Sequence, residues 1–201
     1  MKIAALIIGI DGWEKYTLPL VESIRQHEPD CEIVVIDNAS VTPYPQAEYI
    51  HRTERLCYAK AINTAARIAG DSDWYIVLSN DVLCTGPFAE KLAQAPSDYL
   101  VGPCLKRLQG QIPYLEGWCV VASGMVWKAL GGWDENYQVS SYEDVDFSLT
   151  AIERGFNLGH APQFPFVHLD QRQRFFLIPN YWESEDHNVR YFAQKHGMVT
   201  A

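Results

Sequence analysis

Three short apolar runs, each ending abruptly in polar residues, constrain this chain more than any other feature. IAALIIG (residues 3–9) leads to Asp11, EIVVI (32–36) runs straight into DNAS, and WYIVL (74–78) runs straight into Ser79-Asn80-Asp81. Near-continuous apolar runs of this length, without alternation, suit strands covered on both faces, as in a parallel sheet. Between them lie helical stretches. Residues 14–26 place Leu18, Val21, Ile24 and Arg25 at helical spacing with Pro29 at the end, and YAKAINTAARIAG is alanine-rich and closed by glycine. Strands alternating with helices predict a doubly wound α/β sheet, in which ligands bind beyond the carboxyl ends of the strands. The three polar clusters are therefore expected to converge on one edge.

The remaining segments extend this pattern. YIHR reads as a short strand, PFAEKLAQA as a short helix and YLVGPCL as another strand. From about Gly110 the pattern is less regular: GWCVVAS reads as a strand, MVWKALGGW as a short helix, SYEDVDFSLTAIERG as an amphipathic helix and FPFVHL as a last strand. WESEDHNVRYFAQKHG carries Val189, Phe192 and Lys195 at helical spacing and reads as a closing helix. With 201 residues and no repeat, low-complexity tract or linker, a single globular unit over 1–201 is expected.

A formal charge of -9 excludes a general phosphate-backbone binder, so no nucleic-acid partner is expected. Cys31, Cys57, Cys84, Cys104 and Cys119 are odd in number and form no CxxC, which points to reduced thiols in a cytoplasmic protein rather than a disulfide framework or zinc knuckle. The run after Lys2 stops at Asp11 with no small-residue cleavage site, so it reads as a buried strand and not a signal peptide. No segment approaches the ~20 apolar residues of a spanning helix.

Neither GxGxxG nor a P-loop GxxxxGK[ST] is present. Phosphate must be held another way, and Asp81 at a strand end suggests a divalent cation bridging carboxylate and phosphate oxygens. SSYEDVDF (140–147) packs Glu143, Asp144 and Asp146 into four positions before an apolar run. Ser140 with Glu143 is a capping-box pattern, so these acids either start a helix or perform chemistry, or both. Asp37 and Asp81 also read as turn residues, and His168 in FVHL as a core histidine, when each is taken alone.

In their order along the chain these stretches resemble the family 2 glycosyltransferases with the GT-A fold, over about residues 3–169. VVIDNAS looks like the family's nucleotide-binding strand end, and YAKAINTAARIA like its alanine-rich helix carrying an Asn, here Asn63. VLSNDV matches the metal-binding Asp-x-Asp segment with Asp81 as its final acid, GGWDENY resembles the stretch before the acceptor side, and YEDVDF the acidic motif that supplies the catalytic base. APQFPFVH resembles the proline and histidine near the end of the catalytic domain.

The resemblance implies a GT-A fold: a Rossmann-like, mostly parallel central sheet flanked by helices, with a smaller acceptor-side sheet. Residues 1–109 would bind the nucleotide sugar, 110–170 the acceptor and catalytic base, and 171–201 would form a lid and helix. It implies inverting transfer from a UDP-, GDP- or dTDP-type sugar to a saccharide or lipid-linked acceptor, in polysaccharide biosynthesis. A sugar hydroxyl is a poor nucleophile at neutral pH, so a carboxylate must take its proton; by motif this is Asp144. Glu143 would orient the acceptor, and Asp146 support the helix start. Asp37, Asn38, Asn63, Asn80 and Asp81 would hold the donor nucleotide, with Trp118 stacked on an acceptor sugar ring. The departing diphosphate calls for a divalent cation at Asp81 and His168, whose mixed oxygen and imidazole set favours manganese over magnesium.

Asp11 and Trp13 in GIDGW differ from the commoner pattern after the first strand, and two further departures stand beside them: Ser79 replaces the usual first acid or Asn of the metal motif, and Thr150 stands where many relatives carry Arg. The latter two motivate the alternative of a degenerate nucleotide-sugar-binding protein. A sugar nucleotidyltransferase ranks last, because GIDGWEK lacks the glycine-rich basic loop it would need. RQRFFLIPNYW (172–182) fits a lid, a peripheral contact at the inner face of the membrane, a homodimer contact or core packing.

Overall fold

The computed structural model describes residues 1–169 and 180–198. In chain order these form β1 (Ile3–Gly9), α1 (Leu18–His27), β2 (Glu32–Asn38), β3 (Ile50–Thr53), α2 (Tyr58–Ala69), β4 (Trp74–Ser79), β5 (Val82–Cys84), α3 (Ala89–Gln94) and β6 (Tyr99–Gly102). Then follow β7 (Leu105–Leu108), β8 (Ile112–Leu115), β9 (Cys119–Ser123), α4 (Gly124–Leu130), α5 (Glu143–Glu153), β10 (Asn157–His160), β11 (Phe166–His168) and α6 (Tyr181–Lys195).

Seven strands form the central sheet in the order β10-β6-β9-β4-β1-β2-β3. Its neighbours pair in parallel except at β9, which runs against both β4 and β6. Two small antiparallel pairs, β5 with β11 and β7 with β8, stand beside it. This is the doubly wound, mostly parallel architecture expected, with the smaller sheets added.

The unbroken apolar strands follow from packing on both faces. Along β1, Ala4, Leu6 and Ile8 face the α2, α4 and α5 side, while Ile3, Ala5 and Ile7 face α1. Each large aliphatic side chain so covered contributes roughly 1.5–3 kcal/mol relative to exposure. The alanines of α2 (Ala61, Ala65, Ala66) let that helix settle closely on β1 and β2. A third, smaller cluster of Tyr137, Val145 and Phe192 joins α5 to α6, with Leu108, Ile112 and Tyr114 of the β7–β8 hairpin packed against it.

Three local expectations are corrected. The helix expected from Glu14 begins instead with a wide π-type turn over Trp13–Thr17, and α1 proper starts at Leu18. Pro19 has no N–H to donate, which delays the regular ladder. YLVGPCL is two strands, since Pro103 separates β6 from β7. Residues 157–160, given no role above, form the edge strand β10.

Of the stretch 172–182, residues 172–179 lie outside the described ones, and Tyr181 opens α6. Among the described residues no helix is long and apolar enough to cross a membrane.

Candidate active site

Strand register gathers the polar clusters on one edge: Gly9 pairs with Asp37, and Ile8 with Ser79. Asp81 lies in the turn from β4 to β5, and the β5–β11 register sets Val82 opposite His168. His168 Nε2 therefore comes within 3.3 Å of Asp81 Oδ1. The same oxygen accepts the Ser79 hydroxyl at 2.7 Å, and Leu169 N–H donates to the Asp81 carbonyl at 2.8 Å. The His168 ring stacks on Trp118, with centroids 4.9 Å apart and planes within 11°. The indole Nε1–H of Trp118 donates to Glu116 Oε2 at 3.1 Å, so one face and the polar edge of this ring are already engaged. Trp118 is thus first a support for His168, and an acceptor sugar has at most its other face.

The second acidic group stands at the start of α5. Glu143 is buried; its Oε1 accepts the Ser140 hydroxyl at 3.0 Å, and its Oε2 is buried with no hydrogen-bond partner. Asp144 is half-buried, its Oδ2 accepting Gly117 N–H at 2.9 Å and its Oδ1 accepting Val145 N–H at 2.8 Å. Burial pushes both carboxyls upward from their ordinary values, and the Asp144 charge raises Glu143 further. The two N–H groups on Asp144 oppose its shift without cancelling it. Asp144 is thereby the more accessible and more easily ionised member, and Glu143 the one held protonated.

The capping box read from the sequence is not formed: Ser140 and Glu143 bond side chain to side chain, and Tyr142 occupies the N-cap in the left-handed region at φ 70°. Asp146, two residues on, faces away from the pair into an ion pair with Lys195 (2.8 Å) and a contact with His196 Nε2 (2.9 Å), tying α5 to α6.

Gly117 and Tyr58 connect the two acidic groups, and neither stood out in the sequence. The Tyr58 hydroxyl, at the first position of α2, donates to the Gly117 carbonyl at 3.0 Å, while Gly117 N–H holds Asp144. The next carbonyl, of Trp118, accepts Ser79 N–H at 3.1 Å. Burial, and then the charges of Glu143, Asp81 and Asp144, raise the Tyr58 phenol well above its ordinary value, keeping it a neutral donor. A Cβ at position 117 would lie 3.3 Å from Asp144 Cβ, tighter than most such contacts, which gives the glycine its reason. The only sequence signal was that this turn enters an apolar strand beside β4.

The four other residues expected at the donor are all engaged by neighbours in the chain. Asn63 donates to Trp133 O (2.8 Å) and Glu135 Oε1 (3.0 Å) and accepts Trp133 N–H, which fixes the GGWDE loop rather than a nucleotide. Asn38 forms a two-way amide pair with Leu56, donating at 2.9 Å and accepting at 2.7 Å. Asn80, also buried, donates to Thr17 Oγ1 at 2.9 Å and Tyr44 Oη at 3.1 Å. Asp37 is only 1% exposed and accepts Ser40 N–H, Tyr44 N–H and the Arg52 guanidinium. Burial alone would raise its carboxyl, but bonds from Ser40 and Tyr44 and the Arg52 charge outweigh burial and hold it below the usual range. These side chains bind one another and hold the strand-end loops together.

A mostly parallel sheet with one reversed strand, carboxylates at its strand ends and a second acidic pair opposite defines a GT-A glycosyltransferase domain. The fold matches solved structures over nearly its whole length. It is similar to the mannosyltransferase PcManGT from Pyrobaculum calidifontis in complex with GDP-Man and Mn2+, at 15% identity and TM-score 0.67, covering 95% of this chain and 69% of that one. It is similar also to S. aureus TarS 1-349 in complex with UDP, at 15% identity and TM-score 0.63, covering 96% and 70%. GalNAc-T7 with UDP, GalNAc and Mn2+ gives TM-score 0.74 at 13% identity, and there 94% of this chain spans about half (47%) of the other. No curated protein matches the chain by sequence. Residues 11–164 match the model of Glycosyl transferase family 2, and the chain belongs to that family.

Proposed function

We propose that this domain transfers a sugar, with inversion, from a nucleoside diphosphate donor to an acceptor hydroxyl, using Asp144 as general base. The observation that carries this reading is the half-buried Asp144 carboxylate beside a buried Glu143, both shifted upward. A general base works best when its pKa lies close to the operating pH, and such a group contributes about 10²–10⁴-fold. Gly117 and Val145 N–H groups fix the carboxylate against rotation, so one lone pair can face an incoming hydroxyl. Glu143, held protonated, adds no second negative charge against Asp144.

At the strand ends the donor set fits one divalent cation in part. Asp81 and His168 meet at 3.3 Å, and among the described residues no cluster of three or more His, Cys, Asp or Glu forms a fuller shell. Asp81 and His168 would hold the ion, leaving other positions to water and donor oxygens; carboxylate with imidazole suits manganese better than magnesium. When bound, the ion supplies Lewis-acid stabilisation of the departing diphosphate. Manganese and nucleotides bound to similar folds agree with this reading. The diphosphate donor's base and sugar, the saccharide or lipid-linked acceptor and a cytoplasmic location are part of the same proposal.

The test begins with thermal shifts for UDP-, GDP- and dTDP-sugars with and without manganese, because a ligand of the native state raises Tm. A shift that needs nucleotide and metal together is expected, with loss in Asp81→Ala and retention in Asp144→Asn. The anomeric configuration of the product, read by NMR with the donor so found, should be opposite to the donor's. Retained configuration would overturn the role of Asp144 as a base. Donor binding without transfer or slow hydrolysis would favour the degenerate binding protein suggested by Ser79 and Thr150.

A further inference from the structure

The segment just before the acidic pair is conformationally costly and is held from outside. Val139, Ser141 and Tyr142 have φ values of 49°, 99° and 70°. Non-glycine residues in such regions cost on the order of 1–3 kcal/mol each and persist only where the surroundings fix them. Local bonds are few: the Ser140 hydroxyl reaches Glu143, while Tyr142 at the N-cap makes no side-chain cap bond.

Two contacts come from outside: Tyr58 N–H of α2 donates to the Val139 carbonyl at 2.7 Å, and the fuller one is Asn188 in the middle of α6, with 0% exposure. Its Oδ1 accepts Gln138 N–H at 2.8 Å, and its Nδ2 donates to the carbonyls of Gln138 (2.8 Å), Ser141 (2.9 Å) and Ser140 (3.2 Å). Every hydrogen bond of this amide thus falls on 138–141. Two and three residues later come Glu143 and Asp144. We propose that Asn188 is a positioning residue for the base: α6 clamps the strained turn and so sets where Asp144 stands. The proposal rests on Asp144 being the base.

The clamp is separable from the docking of α6. Lys195 pairs with Asp134 at 2.7 Å and with Asp146 at 2.8 Å, His196 with Asp146 at 2.9 Å, and Phe192 packs into the small core. These anchors keep α6 in place when Asn188 changes. Released, the turn would relax toward ordinary φ values and carry the start of α5 with it. A displacement of about 1 Å at a catalytic group can cost on the order of 10²-fold.

Relaxation would also admit water to Asp144. The titratable groups that face it are Glu143 on its own helix, Glu116 before β9, Tyr58 of α2, Tyr114 of β8 and Tyr181 of α6. Hydration lowers a carboxyl raised by burial. A base must be ionised to act, so the acid limb of the kcat profile should move to lower pH.

The experiment compares wild type with Asn188→Ala and Asn188→Asp, the second keeping the acceptor for Gln138 N–H but losing all donated bonds. Expected for both are a fall in kcat of roughly 10–100-fold, unchanged nucleotide binding, an acid limb moved to lower pH, and faster amide exchange over 138–146 with 1–50 unchanged. A lower kcat with the acid limb in place, or unaltered exchange over 138–146, would overturn the clamp. If the wild type transfers no sugar, the proposed reaction fails; exchange over 138–146 still decides whether Asn188 holds the turn.

Discussion

The strand ends and the start of α5 use the same residue types in opposite ways. At the strand ends, Asp37, Asn38 and Asn80 are saturated by neighbours: Ser40, Tyr44 and Arg52 on Asp37, Leu56 on Asn38, Thr17 and Tyr44 on Asn80. At the start of α5, Glu143 keeps an oxygen buried and unpartnered, and Asp144 has only two N–H groups. Saturation lowers the Asp37 carboxyl and ties together the loops at the strand ends; incomplete solvation raises the Glu143–Asp144 pair. The first arrangement adds stability, and the second holds carboxyls at a cost to it.

The most forceful way to break this contrast is at the base. Asp144→Asn keeps shape and the bond from Gly117 but removes proton acceptance, so kcat should fall by about 10³-fold, within the range for a general base. Nucleotide-dependent Tm shifts should be unchanged. A fall of less than about tenfold would place the base elsewhere.

Next in size is the saturated end. Asp37→Ala leaves Ser40 N–H, Tyr44 N–H and Arg52 without their acceptor. Orphaned buried donors cost about 1–3 kcal/mol each. Arg52 is 45% exposed and turns to water, so a loss near 3 kcal/mol is expected by urea titration at pH 7. A loss below 1 kcal/mol would show that the strand-end network is ornamental to stability.

The pH dependence sharpens the contrast because its sign differs between the ends. Asp37 has a lowered carboxyl, so its stabilisation is complete above the ordinary carboxylate range and is lost as pH falls through the lowered value. Glu143 is raised, so between the ordinary and the raised value the unfolded chain is ionised while the native one retains its proton. Native stability therefore declines as pH rises through that window. Glu143→Gln removes this slope, and Tm of the variant minus Tm of the wild type should grow from pH 5 toward pH 8, readable by scanning calorimetry. A difference independent of pH would mean that Glu143 is ionised throughout.

How much of this was legible in the chain depends on the range of the cause. The strands of the central sheet were legible because burial on both faces leaves an unbroken apolar run. The β7–β8 hairpin was not: LKRL is half exposed, with no run or alternation to mark it. Asp81, His168, Glu143 and Asp144 were placed by strand-end position and motif order, and the fold brings them together in pairs. The partners of Asn38, Asn63 and Asn80 were illegible for one reason. Strand-end and helix positions say where a side chain begins, while its partner lies 18 residues away for Asn38, 70 for Asn63 and 63 for Asn80. Asn188 was invisible for the same cause, with its partners some 50 residues earlier.

Ser79 is the finest test of the comparison, because it belongs to the saturated end yet touches the one carboxylate there proposed to bind a cation. Its hydroxyl donates to Asp81 Oδ1 at 2.7 Å, on the oxygen that also meets His168. Removing it in Ser79→Ala leaves Asp81 with its imidazole neighbour and with space for water, so stability should change by only about 1 kcal/mol. The same change frees a lone pair for the cation. Manganese-dependent nucleotide affinity should therefore hold or tighten, by less than tenfold, in calorimetric titration. Weakening by more than tenfold would mean that the hydroxyl orients Asp81 for the ion, and that the donor end, like the base end, depends on a positioned and incompletely satisfied carboxylate.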